Sequence, residues 1–301
     1  MNNFELKKFL YVTPSTQKMF IPNEIFEQMQ SIVGNQKTFA YSYYYLITWL
    51  YRYTKYNENP YTQQDLKRIL RYSIHTKEID KIIKKNGLLE QLGLMKTISN
   101  YPIGTTYEDE ILEFIYVNDE WYAKSLLRKR HTNRYTIKEP IQGLQRVDAE
   151  TGEILEGFFV DIARTFSVPF DVFVFCMSHK DLGCTGFYLW SYIKYKNQIH
   201  QGGYDASLKR FSNELGLSQK TIQRYKDELI RHNMIRVQHN MDCFDPSIPK
   251  EDILAPTNYI LSLENFSNVK LPIKKLKKKS NDDLTKNQIL EIEMEMESLF
   301  S

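Results

Sequence analysis

The chain has 301 residues, of which 42% are hydrophobic and 26% are charged, and its formal net charge at pH 7 is +3. This composition is typical of a globular protein, and the length is sufficient for two domains. The mild net charge excludes a globally basic surface, so a nucleic-acid partner would have to meet local clusters of Lys and Arg.

The cysteines and apolar segments bear on cofactors and location. Cys176, Cys184 and Cys243 have neither CxxC spacing nor a His at a zinc-ligand interval, so we expect reduced thiols and no structural metal. No N-terminal segment is typical of a signal peptide, and every apolar run is interrupted well short of a membrane span. These features predict a cytoplasmic protein that binds no metal or other cofactor and does not enter a membrane.

The first predicted elements are helices with an unusual share of aromatic residues. Ile21-Pro22 precedes a helix that contains Phe26, and an aromatic-rich helix follows at 38–56. A short helix is predicted over 62–70 because its apolar residues recur at helical spacing.

A second helix over 77–92 completes a helix-turn-helix, with Thr76 placed as its N-cap. The residues expected to face inward are Ile79, Ile82, Ile83 and Leu89. The residues expected to face outward are Lys77, Glu78, Asp80, Lys81, Lys84 and Lys85. Because the two acids would repel phosphates, we expect this helix to contact the DNA backbone or a second copy of the chain instead of bases.

A wing and a basic segment are predicted next. A strand at 96–99, the turn-rich segment 100–110 and a return strand at 111–117 are typical of a wing. The segment 123–138 then contains six cations and one His without any acid. Those cations are Lys124, Arg128, Lys129, Arg130, Arg134 and Lys138. We expect them to bind DNA phosphates, and a solvated helix is the alternative.

The segment 146–162 predicts a hairpin at the entry to the second half of the chain. Val147 and Ile154-Leu155 flank a polar turn, and Gly152 lies where such a turn requires a positive φ.

Residues 204–239 are the most informative part of the sequence, because a short helix, a Gly-centred turn and an amphipathic helix lead directly into a strand. Leu208, Phe211 and Leu215 give the short helix one apolar face. Gly216 supplies the left-handed conformation for the turn, and Leu217 is expected to fill the angle between the two helices.

The second helix of this unit is predicted to begin at a Ser218 N-cap and to end at Asn233. Its inward stripe is Ile222, Tyr225, Leu229 and Ile230. Its outward residues are Gln219, Lys220, Thr221, Gln223, Arg224 and Asp227. A strand at 234–237, a long acidic loop and a return strand at 258–263 follow, which is the order of a winged helix-turn-helix that binds DNA. The alternative is a small helical domain with an ordinary polar face.

Both halves of the chain contain the same landmarks in the same order. The separation of matched positions falls from 147 residues at Pro22 and Pro169 to 140 residues at Gly93 and Asn233, so short insertions are needed. We therefore predict two tandem winged-helix domains that are related by duplication or by a shared architecture.

The chain changes character after residue 269. Its cations there are Lys270, Lys274, Lys275, Lys277, Lys278 and Lys279, which suit nonspecific phosphate contact or a solvated linker. The final amphipathic pattern has apolar Leu284, Ile289, Ile292, Met296 and Leu299 among Glu291, Glu293, Glu295 and Glu297. We expect this helix to bind a partner such as a host replication protein, to pair with a second copy or to fold back on the basic linker. A frayed tail is the alternative.

No catalytic motif is present. The sequence contains no Walker loop, no GxGxxG after a strand, no GxSxG and no HExxH, and its six His are scattered. We therefore expect a protein that is not an enzyme.

Together these elements predict an α+β, mainly helical fold with two tandem winged helix-turn-helix domains and a C-terminal amphipathic helix. The predicted parts are a first winged-helix domain at 1–138, a linker and hairpin at 139–165, a second winged-helix domain at 166–268, and a basic linker with an acidic tail helix at 269–301.

Two such units in about 300 residues resemble the theta-type plasmid replication initiators, and VDAETGEIL ahead of a helix-turn-helix is similar to replication proteins of small Gram-positive plasmids. The resemblance implies binding of repeated origin sequences, self-association through the first domain and recruitment of host helicase-loading proteins. The acids on the first predicted reading helix depart from a base-reading role. We therefore predict a sequence-specific double-stranded DNA-binding protein, most simply an origin-binding replication initiator. The alternatives are a transcriptional regulator or phage replisome organiser, and an interaction scaffold that does not bind DNA.

The predicted DNA contacts fall into three groups. The second reading helix contributes Ser218, Gln219, Lys220, Thr221, Gln223 and Arg224. The first domain contributes Lys77, Lys81 and Lys84. The basic segment contributes Lys124, Arg128, Lys129, Arg130 and Arg134.

Overall fold

The computed structural model describes residues 1–13, 17–108, 111–119, 135–147, 151–240 and 254–273. The helices in these ranges are α1 (Asn3–Phe9), α2 (Ile25–Gln28), α3 (Gly34–Arg52), α4 (Gln63–Ile69), α5 (Asp80–Ile83), α6 (Leu88–Gln91), α7 (Ile141–Leu144), α8 (Phe170–Ser178), α9 (Gly183–Ile199), α10 (Leu208–Leu215) and α11 (Gln219–Arg231). The strands are β1 (Lys18–Pro22), β2 (Met95–Ile98), β3 (Pro102–Glu108), β4 (Ile111–Tyr116), β5 (Ile137–Pro140), β6 (Gln145–Val147), β7 (Ile154–Glu156), β8 (Thr165–Pro169), β9 (Tyr204–Asp205), β10 (Ile235–Gln238) and β11 (Thr257–Ile260). Both element types contribute throughout, so the fold is α+β, and the expectation of a mainly helical chain is not clearly supported.

Two aromatic helices, α3 and α9, form the centre of the structure and pack against each other. Every residue of α3 from Lys37 to Tyr51 is buried, as is every residue of α9 from Cys184 to Ile193. A helix that is buried on all sides lies inside a core, whereas an amphipathic helix lies at its surface. The predicted helix at 38–56 is therefore present, and it is the centre of a core to which both halves of the chain contribute.

The two halves of the chain meet at equivalent residues. Strands β1 and β8 pair antiparallel, and Phe20 lies opposite Ser167, the residue 147 positions later. Thr38 and Thr185 are also 147 positions apart, and their hydroxyl oxygens lie 3.2 Å from each other. Equivalent residues can face each other in this way only on an axis of approximate two-fold symmetry.

Aromatic contacts in the core follow the same relation. The rings of Tyr41 and Tyr188 are 147 positions apart and meet edge to face at 5.4 Å. The contact of Phe26 with Tyr192, at 5.0 Å, has a counterpart at 5.5 Å between Tyr45 and Phe173, and each member of the second pair is offset by 147 from a member of the first. The predicted internal repeat thus has a structural counterpart in an approximate two-fold arrangement.

Each half places a two-stranded ladder against its central helix. In the first half β2 pairs with β5, and β5 packs on α3. In the second half β10 pairs with β11, which also pairs with β9 and packs on α9. The return strand expected at 258–263 is therefore present as β11.

The wing expected in the first half has different partners. The strand at 96–99 corresponds to β2, but the strand at 111–117 does not return to it, because β4 pairs with β3 in a separate hairpin. The true return strand is β5, whose residues 137–140 cross the expected domain boundary at 138 and 139. Sequence order favoured pairing of β2 with the nearer segment at 111–117. In the structure β2 pairs instead with the more distant β5, which packs on α3.

The hairpin expected at 146–162 is formed by β6 and β7. Val147 pairs with Ile154, and Gly152 has a φ of 73° at the turn. Among the residues that the structure describes, none of the helices has both the length and the apolar character that a membrane-spanning segment requires.

Candidate nucleic-acid interface

The turn between α10 and α11 is built from local signals, of which the sequence predicted Gly216 and the Ser218 cap. The Ser207 hydroxyl accepts a hydrogen bond from the Arg210 N–H at 3.2 Å, and the Ser218 hydroxyl accepts one from the Thr221 N–H at 3.1 Å. Gly216 ends α10 with a φ of 66°, a conformation that costs residues with a Cβ about 1–2 kcal/mol. Both helix starts and the turn between them are thus fixed by residue type.

Side chains from the first half of the chain hold this turn. Lys37 Nζ donates to the carbonyl of Leu215 at 3.0 Å and to Gln30 Oε1 at 3.2 Å, and Gln30 Nε2 donates to the carbonyl of Glu214 at 2.7 Å. These carbonyls belong to the last turn of α10, where no intrahelical donor is available. Burial lowers the pKa of Lys37. The first half therefore fixes the orientation of the α10–α11 turn.

The first half of α11 presents polar side chains to solvent. Gln219, Lys220, Gln223 and Arg224 are all exposed, in agreement with the prediction. Gln223 donates to Asp227 at 2.6 Å, which leaves its amide oxygen available as an acceptor. Glutamine and arginine have the donor and acceptor geometry that matches the edges of adenine and guanine.

Two of the predicted contact residues have a structural role. The hydroxyls of Ser218 and Thr221 lie 2.8 Å apart, and Ser218 also accepts the hydrogen bond that caps α11. Such a cap stabilises a helix by about 1 kcal/mol. Their hydroxyls are thus engaged in starting the helix.

The buried side of α11 differs from the predicted stripe. Ile222 and Leu229 are buried, but Tyr225 and Ile230 are only half-buried, and Lys226, beside Tyr225, is 5% exposed. Its Nζ lies 5.4 Å from the centroid of the Phe211 ring. The spacing alone indicates that Lys226 lies on the buried side, because it is four residues after Ile222 and three before Leu229.

A groove of about 1060 Å³ runs along α11 beside the β10–β11 ladder. One face of α11 lines it from Gln219 to Arg231, and the ends of the described chain at Asn240, Leu254 and Ile273 also reach it. Its apolar lining includes Ile230, Ile235, Val237, Leu261 and Leu271. The acidic loop that was expected here falls mostly at 241–253, outside the described residues.

The corresponding helix of the first half is broken. Where the sequence predicted one helix over 77–92, the structure has the single turns α5 and α6, and Thr76 caps neither, because α5 begins after Ile79 without a side-chain cap. Asn86 has a φ of 57° at the break. A Cβ on Gly87 would lie 2.8 Å from three backbone oxygens, so the chain can turn there only with glycine.

The outer surface of this broken segment is more basic than its sequence suggested. Lys77, Lys81 and Lys84 are exposed, as predicted, and Lys85 is exposed beside them. Asp80, however, pairs with Lys67 at 2.6 Å, so its charge is compensated. Only Glu78 remains as an exposed acid here, and the expected repulsion of phosphates is correspondingly weaker.

Lys138, the last cation of the predicted basic segment, points into the protein. Its Nζ lies 2.7 Å from Glu90 Oε1 and donates to the carbonyl of Lys84 at 3.0 Å and to the hydroxyl of Thr97 at 2.9 Å. Burial alone would raise the pKa of Glu90, but the bonds from Lys138, Thr97 and the Asn86 N–H lower it to about 2. Lys138 thus joins α6, β2 and β5 and is not a phosphate ligand.

The other cations of that segment lie outside the described residues, as does the tail from residue 274. These cations are Lys124, Arg128, Lys129, Arg130 and Arg134.

Lys270, which was expected to suit phosphate contact, pairs instead with Asp181 at 2.5 Å and Glu228 at 2.6 Å. The buried His232 lies 3.2 Å from the same Asp181 carboxylate. The lysine ammonium supplies the positive charge that these two carboxylates require.

No protein-family model matches this sequence, and searches among curated proteins and solved structures found no match to it. The resemblance to plasmid replication initiators therefore stays a prediction.

Proposed function

We propose that this protein binds double-stranded DNA and recognises its sequence with α11. The observation that carries this proposal is a continuous, capped helix whose exposed first half is polar and is followed by a three-stranded antiparallel sheet. The order α9, β9, α10, α11, β10, β11 is that of a winged helix-turn-helix, in which the second helix of the turn enters the major groove.

In this proposal the exposed residues of α11 divide between bases and phosphates. Gln219, Gln223 and Arg224 contact base edges in the major groove, and Lys220 contacts a phosphate. Arg224 lies over the ring of Tyr225, with 5.3 Å between its guanidinium carbon and the ring centroid. That contact favours one orientation of the guanidinium, which reduces the entropy lost on binding.

The first half of the chain holds the DNA backbone. Lys77, Lys81 and Lys84 are exposed on a segment whose helix is broken, so they supply charge without a rigid helix to enter the groove. Contacts of this kind increase affinity for every duplex and are weakened by salt.

The narrower role that we propose is an origin-binding replication initiator of a plasmid, with self-association through the first half and a host replication protein at the tail. The sequence resemblance supports this role, and the two-fold arrangement of the halves is compatible with a chain that contacts two neighbouring DNA segments. Plasmid maintenance by the cloned gene tests it. A gene that regulates transcription without sustaining replication would favour the regulator instead.

Selection from a pool of random duplexes tests DNA recognition directly. We expect the full chain to enrich one sequence class and to lose affinity steeply as salt rises. Arg224→Ala should weaken binding to the enriched duplex by about 1–3 kcal/mol. Lys180→Ala should not, because Lys180 is an exposed residue outside α11 and adjoins Asp181, which contacts His232 at the C-terminal end of that helix. A chain that retains no duplex even at low salt would contradict the proposal and favour the interaction scaffold.

A further inference from the structure

Lys226 is nearly buried, yet within the described chain its ammonium meets the Phe211 ring and neither an acid nor a hydrogen-bond acceptor. It is 5% exposed, lines the groove beside α11, and forms neither a hydrogen bond nor an ion pair with any residue that the structure describes. Burial of its ammonium lowers the pKa of Lys226 to about 8. A buried cation without a partner is unfavourable, and an anion in the groove would remove that cost.

The rest of the groove specifies the shape and polarity of its occupant. It follows α11 over the 13 residues from Gln219 to Arg231, a length of about 18 Å. Its lining is apolar along Ile230, Val237 and Leu261 and along the last described residues. Among the described residues that line it, the other cations are Lys209, Arg231 and Arg236, and Asp227 is the single acid. The groove therefore suits a segment that has one apolar face and negatively charged side chains.

The chain itself supplies such a segment. Ile273, the last described residue, lies in the groove, and 28 residues follow it. Within them Ile289, Ile292, Met296 and Leu299 fall on one helical face and span about 15 Å. Four glutamates lie between these apolar residues, at 291, 293, 295 and 297.

We propose that residues 289–299 dock in the groove beside α11 of the same chain, with their apolar face on Ile230, Val237 and Leu261 and a glutamate against Lys226. The docked segment covers Gln219 and Gln223. If α11 reads DNA, which rests on the proposed function, docking competes with DNA and lowers affinity until the tail is displaced.

Two other occupants fit the groove less well. A DNA phosphate would meet Lys226, but it would leave the apolar lining against a charged backbone. The loop 241–253, whose neighbours Asn240 and Leu254 also line the groove, contains Pro246 and Pro249 within a short span, so it has no continuous helical face to offer.

Photo-crosslinking in the full chain tests the docking without DNA. Ser298→Cys is combined with Cys243→Ser and labelled with benzophenone maleimide. Cys176 and Cys184 do not compete for the label, because both are buried and burial raises the pKa of their thiols. We expect cross-links within one chain to peptides that contain residues 226–237, 254–261 or 271–273.

Matched variants identify the contacts. The double variant Ile292→Ser/Met296→Ser and the groove variant Lys226→Gln should each lose these cross-links. Lys194→Gln should retain them, because Lys194 is another lysine whose pKa burial lowers, but it does not line the groove. Cross-links that form only between chains, that map elsewhere, or that survive both variants would overturn the proposal.

The effect of tail docking on the affinity for DNA is measured separately. Ile292→Ser/Met296→Ser should bind the selected duplex about fivefold or more tightly than the parent. Unchanged affinity together with intact docking would mean that the tail and DNA do not compete, which overturns that part of the proposal. If no duplex is ever selected while the cross-links form as expected, the proposed function fails and the docking stands.

Discussion

The two halves of this protein share a scaffold and differ in the segment that would face DNA. In the second half α11 is a continuous helix of 13 residues, whereas its counterpart in the first half is two separate turns of four residues each. Helices so short depend on tertiary contacts for their stability. The difference teaches that two halves can contribute similar helices to one core while only one of them has a rigid surface helix.

The two halves also differ in what holds that segment to its sheet. The first half uses Glu90 and Thr97 with the ammonium of Lys138. The positions 140 residues later than Glu90 and Thr97 are Ile230 and Val237, which are apolar and pack against the core. A buried ion pair requires one fixed geometry, while apolar packing leaves the outer surface of α11 free to vary.

Of the predicted effects on the free energy of unfolding, loss of the Lys138 ammonium from the first half should be the largest. Lys138→Met leaves the Glu90 carboxylate buried without its cation and should lower the free energy of unfolding by about 3–5 kcal/mol. Urea denaturation measures this loss. Arg68→Met, which removes an exposed pair at 3.9 Å, should cost about 1 kcal/mol or less. Equal losses in the two variants would show that the ion pair does not hold the first half together.

Lys226 in the second half should have the opposite sign when the tail is undocked, because its charge is then buried without an anionic partner. With Ile292→Ser/Met296→Ser as the parent chain, Lys226→Met should raise the free energy of unfolding at pH 7 by about 1–3 kcal/mol. Burial lowers the pKa of Lys226 from 10.5 to about 8. The unfolded chain then binds more protons between those values, so the parent gains stability as pH rises and the advantage of the variant shrinks.

Urea denaturation of parent and variant at neutral and at alkaline pH measures this change. Lys209→Met, which alters an exposed lysine of the same groove, is the matched control and should show no such pH dependence relative to the parent. A parent that is more stable than Lys226→Met at pH 7 would contradict an unpaired buried ammonium.

A smaller effect on stability should distinguish a substitution in the α10–α11 turn from one in the turn between α9 and β9. Gly216→Ala should cost about 1–2 kcal/mol of stability and weaken DNA binding, since its φ is positive and the new Cβ would lie 2.8 Å from Lys37 Nζ. Gly202→Ala has nothing within 4 Å of the new Cβ and should be nearly neutral. Thermal unfolding and duplex binding of both variants check this. A Gly216→Ala chain with unchanged stability would mean that the turn is less constrained than its geometry indicates.

The sequence predicted the features that depend on neighbouring residues. Gly216, Ser218 and Asn233 have the conformations or caps that their residue types favour, and Gly152 lies at the hairpin turn. The offset of 147 residues at Pro22 and Pro169 recurs in the contacts across the two-fold axis. Local propensity and spacing suffice for these features.

The features that the sequence did not predict depend on distant partners. Lys37 contacts Leu215, which is 178 positions away in the sequence, and Lys138 contacts Glu90, which is 48 positions away. No local sequence pattern could therefore predict either contact. The break at Gly87 was hidden because helical spacing continues through it. Lys226 was overlooked because the inward stripe was assigned from apolar and aromatic residues alone.

The most direct test of the difference between the halves is the binding of parent, Arg224→Ala and Lys81→Ala to the selected duplex and to a scrambled duplex across a range of salt. Arg224→Ala should remove the preference for the selected sequence. Lys81→Ala should weaken both complexes equally and reduce the salt slope by about 1. The reverse pattern, in which Lys81→Ala abolishes the preference and Arg224→Ala preserves it, would contradict the assignment of base reading to α11.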